Sequence, residues 1–232
     1  MDTLISLFFP MFAGHLVADF WLQPASWVSH KKENGWKSKK LILHTLIASI
    51  LPVVFTLELK LWWFVPLIFL THYVIDVVKS KVKQTMWVFL ADQLLHIGIL
   101  WVLASFLTEI TITENLLHFW IYASGFILIT NPLGILTGMF LKSVTKSESN
   151  AVQLNASAWI GIFERILIVI FVTTGQIQAI GFLVAAKSVF RFSEIQHEGN
   201  QRAEYFLLGT LVSFTLAIVV GLGMKLLITD LS

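Results

Sequence analysis

"LIFLTHYVIDVVKSKVK", residues 67–83, begins as sequence suited to hydrocarbon and ends in three lysines. Within it His72 and Asp76 stand four residues apart and Lys79 follows three later, so all three stack along one side of a helix. An imidazole, a carboxylate and an ammonium are each costly in a bilayer, so this face demands partners, a metal or a task. The closing lysines assign this end of the segment to the cytoplasmic side, where positive charge is retained.

Working outward, the rest of the chain has the same character. Its 232 residues are 56% hydrophobic and include nineteen Phe and nine Trp. Mean hydropathy is +0.80. Only 13% of the residues are charged, about half the share of a soluble domain. Recurrent apolar runs of about 20 residues predict an all-α polytopic membrane protein, a bundle of about eight transmembrane helices. The segments are 3–23, 40–57, 61–79, 85–107, 116–141, 154–174, 177–192 and 203–228. The fifth is interrupted by "NPLG" at Asn131 and Pro132, which predicts a kink or half-helix break. The seventh is short and ends in charge, so a seven-span or re-entrant arrangement is the competing topology. The first run has only Asp2 before it and carries His15 and Asp19, so a retained helix is expected rather than a cleaved signal.

Loop charge gives the orientation. "SHKKENGWKSKK" holds five lysines, and "KSKVK", "LKSVTKSESN" and the stretch from Arg191 to Arg202 continue the pattern. The alternate loops "LELK", "TEITITEN" and "TGQIQ" are acidic or neutral. The chain is therefore expected in an inner membrane with both termini extracytoplasmic and the basic loops in the cytoplasm. Trp27 and Trp36 in the first basic loop are interfacial anchors. The bilayer is the expected partner, and no nucleic acid is. Four helices precede residue 108 and four follow, which divides the chain into halves 1–108 and 109–232.

Three pairs in the first half share one spacing. "HLVAD" contributes His15 and Asp19, "HYVID" His72 and Asp76, and "DQLLH" Asp92 and His96, with His44 alone in "LILHTLI". Counted from the cytoplasmic ends, these seven residues fall roughly 5–18 Å into the core, at a rise of about 1.5 Å per residue. "HLVAD" and "HYVID" run in one direction, and "LILHTLI" and "QLLHIGI" in the other, as a duplicated helical hairpin would. With no cysteine in the chain, neither a disulfide nor a thiolate site exists. Four imidazoles and three carboxylates suit a divalent metal, zinc first and iron or manganese next, as one ion or a pair. The expected ligands are His15, Asp19, His44, His72, Asp76, Asp92 and His96. Asp92 is also the candidate catalytic base if it is not a ligand. Gln23 and Gln93 are candidates to orient ligands or water. Polar glue between helices and a proton relay are the competing readings of the same residues.

In the second half Glu164 and Arg165 lie mid-segment in "WIGIFERILIVIF", while Lys187, Arg191 and Glu194 share a face of the next helix and Glu204 opens the last. Structural ion pairs among Glu164, Arg165, Glu194 and Glu204 with the neighbouring cations are expected. Lys79, Lys187 and Arg191 are the candidate anion-binding cations.

"GHLVADFWLQP", "THYVIDVVKSKV" and "ADQLLHI", with "WIGIFERILIVIFV" and "QAIGFLVAAKSVFRF" later, resemble the bacterial integral-membrane proteins catalogued as domain of unknown function 3307. The resemblance implies a bacterial inner-membrane protein and carries no activity. The functional expectation from the residues is a membrane-embedded, metal-dependent hydrolase acting on a phosphoester or lipid-linked substrate from the cytoplasmic side. The alternative is a small transporter, a proton- or cation-coupled carrier using the His/Asp cluster as its ion site.

Overall fold

The computed structural model describes residues 3–106, 110, 112–145, 155–198 and 200–231, without the side chains of 59, 155–156, 190–198 and 200–203. The described residues form helices and short connections, with no strand. The helices are α1 (Thr3–Phe20), α2 (Ala25–Asn34), α3 (Lys39–Phe55), α4 (Phe64–Ser80), α5 (Met86–Ser105), α6 (Glu114–Ile129), α7 (Asn131–Thr145), α8 (Asn155–Thr173), α9 (Ile177–Glu198) and α10 (Asn200–Leu231). Seven of the eight predicted segments each coincide with one helix, and the fifth with the pair α6–α7, which breaks at Thr130 beside Pro132.

Five stretches are long and apolar enough to cross a membrane: Thr3–Phe20, Lys60–Ser80, Met86–Ser105, Glu114–Thr145 and Glu204–Leu231. Counting the bent pair formed by Ala25–Lys37 and α3 makes six. The apolar part of α9, Ile177–Val189, is too short to cross alone. The fold is an all-α, multi-pass membrane bundle.

The chain forms two compact units, residues 1–127 and 128–230. Within unit 1, Trp120 of α6 stacks on Phe55 of α3 at 5.2 Å between ring centres.

Unit 1 owes its architecture to a four-residue repeat on three helices. α1 buries Leu7, Met11, His15 and Asp19, α4 buries Phe64, Ile68, His72 and Asp76, and α5 buries Asp92, His96, Leu100 and Ala104. Residues at i and i+4 share a helix face, so each stripe is half apolar and half polar. Since α1 and α4 run against α5, the halves align into two tiers. One tier is an apolar core containing Leu7, Phe8, Met11, Val53, Phe64, Ile68 and Leu103. The other gathers every imidazole and carboxylate. α3 completes both tiers with His44 and Val53.

Close approach of α1 to α3 depends on Gly14, immediately before His15. A Cβ at that position would lie 2.7 Å from the main chain of Pro52, well inside van der Waals contact. α3 starts at Ser38, whose hydroxyl accepts from the Leu41 amide at 3.2 Å, a helix N-cap. The chain bends by 104° there, so α2 lies across the polar end of the bundle rather than continuing α3. Lys31 is the one buried residue of α2. Trp36, just beyond it, is 59% exposed, and the Lys37 and Lys40 ammoniums sit 5.2 Å from the rings of Trp36 and Trp27. Tyr73 Oη donates to the Trp36 carbonyl at 2.6 Å and fixes the end of this segment to α4.

Candidate metal centre

All four imidazoles of the sequence constellation are buried, each at 3% exposure or less. They surround Asp19. Its Oδ1 lies 3.5 Å from His44 Nε2, 3.6 Å from His72 Nε2 and 3.7 Å from His15 Nδ1. His44 Nε2 and His72 Nε2 are 3.1 Å apart, and Asp76 Oδ2 is 3.6 Å and 4.0 Å from them. Donors about 2.0–2.2 Å from one tetrahedral metal stand ~3.3–3.6 Å from each other. The five separations among Asp19, His44, His72 and Asp76, 3.1–4.0 Å, lie near such donor spacings.

Hydrogen-bond accounting sharpens this. Gln93 points its amide nitrogen at carboxylates, 3.0 Å from Asp92 Oδ2 and 3.5 Å from Asp19 Oδ2. Its carbonyl oxygen therefore faces His15 Nε2 at 3.3 Å. A carbonyl only accepts, so Nε2 of His15 carries the proton, and in the neutral ring Nδ1 is a bare lone pair. That lone pair faces Asp19 Oδ1, which is also acceptor-only when ionised. No donor among the described residues reaches Asp19 Oδ1. Two acceptors opposed in a buried site require a cation between them, a metal or an added proton.

The other two carboxylates have cations of their own. Lys31 Nζ donates to Asp76 Oδ2 at 2.5 Å, and Lys79 Nζ donates to Asp92 Oδ2. Burial pushes the Lys31 pKa below the ordinary lysine value, against the opposing pull of Asp76. With neutral imidazoles, three carboxylates and two ammoniums leave one negative charge, and it resides on Asp19. His96 stacks on His72, ring centres 3.9 Å apart. Its Nε2 stands 3.5 Å from Asp92 Oδ1, and neither atom has a hydrogen-bond partner among the described residues. The seven predicted ligands thus fall into three overlapping triads, His15–Asp19–His72, His44–His72–Asp76 and Asp76–Asp92–His96. A crevice bounded by Ile68, Thr71 and Ile99 opens onto His15, His72 and His96 and has room for about one water.

Residues 7–127, just over half of the chain, match the family described as protein of unknown function (DUF3307). The chain belongs to this family. No curated protein and no solved structure matches it. The matched stretch is unit 1, with all of the cluster and both of its lysines, so the DUF3307 region and the polar tier are one object.

Outside the DUF3307 region, unit 2 has a half-buried ion pair and a buried guanidinium. Lys187 Nζ donates to Glu164 Oε2 at 2.5 Å. Arg165 is expected among the ion pairs, but its guanidinium instead donates to the Ile129 carbonyl, to the Thr130 carbonyl at 2.9 Å and to Ser213 Oγ at 3.2 Å. The physical reason is the break between α6 and α7: carbonyls at the end of a helix carry partial negative charge and accept a cation. Gly134 and Gly161 leave room for the guanidinium, which comes within 3.4 Å of where their Cβ atoms would be. Glu204 is exposed. The side chains of Arg191 and Glu194 lie outside the described residues.

Lys31 is the site residue that sequence reasoning misses. In the linear chain it is one of five lysines in a positive loop, and only the bend before α3 turns it inward. Gln93 is legible by type and adjacency to Asp92, though its bridging of His15 and Asp19 is not. Lys79, expected as an anion-binding cation, is engaged by Asp92.

Proposed function

We propose that unit 1 is a membrane-embedded binding site for a divalent cation, zinc first and iron or manganese next. Asp19, His15, His44 and His72 form its centre, Asp76 its edge, and Asp92 with His96 an adjoining position. The observation that carries this reading is Asp19 Oδ1, which faces three imidazole nitrogens and has no donor. Imidazole and carboxylate donors suit these metals, and the negative charge of Asp19 lowers the cost of holding a dication in low dielectric. When bound, the metal would supply Lewis acidity to water or substrate.

Two activities fit such a site, and they make opposite demands on space. A hydrolase acting on a phosphoester or lipid-linked substrate needs a path wide enough for that substrate, and the crevice here holds about one water. A carrier needs a state that encloses a small ion and little else. The enclosure of the imidazoles therefore supports a cation carrier over a hydrolase, with the room for about one water beside them as the feature that favours hydrolysis. The loop charges support insertion in a bacterial inner membrane with both termini extracytoplasmic.

Elemental mass spectrometry of protein purified without chelators tests the site. Near-stoichiometric zinc, iron or manganese is expected, and it should vanish in the His72→Ala, Asp76→Ala double variant. Folded protein that takes up none of these metals would overturn the reading. Uptake of the identified metal into proteoliposomes then separates carrier from hydrolase: release of phosphate from phosphoesters without uptake would reverse the order of the two.

A further inference from the structure

α2 crosses the polar tier of the bundle and inserts a single group into it. Lys31 is 6% exposed while its neighbours Lys32, Glu33 and Asn34 are exposed. Its ammonium lies 2.5 Å from Asp76 Oδ2, the same oxygen that stands 3.6 Å from His44 Nε2 and 4.0 Å from His72 Nε2. One carboxylate oxygen thus serves as the lysine's acceptor and as a member of the His44–His72–Asp76 donor group.

We propose that Lys31 is a tethered counter-cation that competes with the metal for Asp76. This rests on the metal-site reading above. With the site empty, the ammonium on α2 neutralises Asp76, and a dication binding there repels it. Metal entry is then an exchange, in which one ammonium leaves Asp76 as one metal arrives. The release of Lys31 withdraws from the cluster the only buried side chain that α2 contributes. The segment keeps other contacts along its length: the Lys40 ammonium 5.2 Å from the Trp27 ring, the 2.7 Å approach of His30 Nδ1 to Ser38 Oγ and the Tyr73 bond to the Trp36 carbonyl. Because linked binding is reciprocal, the factor by which zinc weakens the Lys31–Asp76 bond equals the factor by which the lysine weakens zinc.

The test uses full-length protein in detergent with zinc as the probe. Lys31→Gln removes the competitor and should tighten zinc binding by roughly 5- to 150-fold, the usual range for linked sites. Lys31→Arg keeps a cation with a stronger carboxylate fork and should bind zinc no better than the natural protein. The order Gln, Lys, Arg in falling affinity is the signature, and a packing role alone would not produce it. Wild-type protein gives a second readout that needs no variant: reaction of Lys31 with an amine-selective reagent, quantified by peptide mass spectrometry against exposed Lys32 and Lys37. Zinc should raise Lys31 labelling towards theirs. Equal zinc affinity in all three proteins, with Lys31 still protected when zinc is bound, would overturn the exchange and leave the metal site standing. Absence of zinc binding in every folded form would overturn both.

Discussion

The two units bury polar groups in opposite ways. In unit 2 the groups are matched within the protein: Lys187 meets Glu164, and Arg165 meets two main-chain carbonyls and a hydroxyl. In unit 1 the count does not close. Asp19 Oδ1, Asp92 Oδ1 and His96 Nε2 are buried without a hydrogen-bond partner, and one carboxylate has no cation. A matched buried polar set serves packing and register, whereas an unmatched one is destabilising unless a ligand completes it. The difference supports the proposed reading of unit 1 as the site, with unit 2 as scaffold at these positions.

Substitutions that change one side of this contrast without the other are the way to break it. The largest effect is expected at Asp19. Asp19→Asn should lower zinc affinity by more than ~100-fold, beyond the loss usual for outer-shell partners, measured by competition with a chromophoric chelator. The same variant should leave the metal-free protein as stable or more so by thermal unfolding, because a buried uncompensated charge is removed. A metal-free protein made less stable by this change would turn Asp19 into structural glue.

Next is Gln93, which sets the His15 tautomer without being a donor to the cation. Gln93→Leu should weaken zinc by ~10–100-fold. Arg165→Met should do the reverse of Asp19→Asn. It strands the Ile129 and Thr130 carbonyls, costs about 1–3 kcal/mol of stability, and leaves zinc affinity unchanged. A change in metal binding would show that unit 2 is part of the site. The smallest effect is expected for Ser38→Ala, which removes the N-cap of α3 at about 1 kcal/mol and loosens the bend that carries Lys31 inward.

Much of unit 1 is legible in the linear chain, because helical periodicity is local. His15 and Asp19, His72 and Asp76, and Asp92 and His96 stand at the four-residue spacing that stacks side chains, and loop lysines fix which ends lie together. What is not legible depends on contacts that leave no periodic trace. Lys31 is one of five similar lysines until the 104° bend selects it. The acceptors of Arg165 are main-chain carbonyls, identical at every position of a sequence, so a charged partner is the natural but incorrect expectation. The stack of Trp120 on Phe55 is likewise a tertiary contact that periodicity does not encode.

The central claim is that a cation belongs between Asp19 and its imidazoles, and X-ray absorption spectroscopy of the zinc-titrated protein tests it most directly. The account predicts a four-coordinate nitrogen/oxygen shell near ~2.0–2.1 Å, with scattering from two or three imidazoles that is lost in Asp19→Asn. A six-coordinate oxygen shell with no imidazole scattering, unchanged by that substitution, would contradict it.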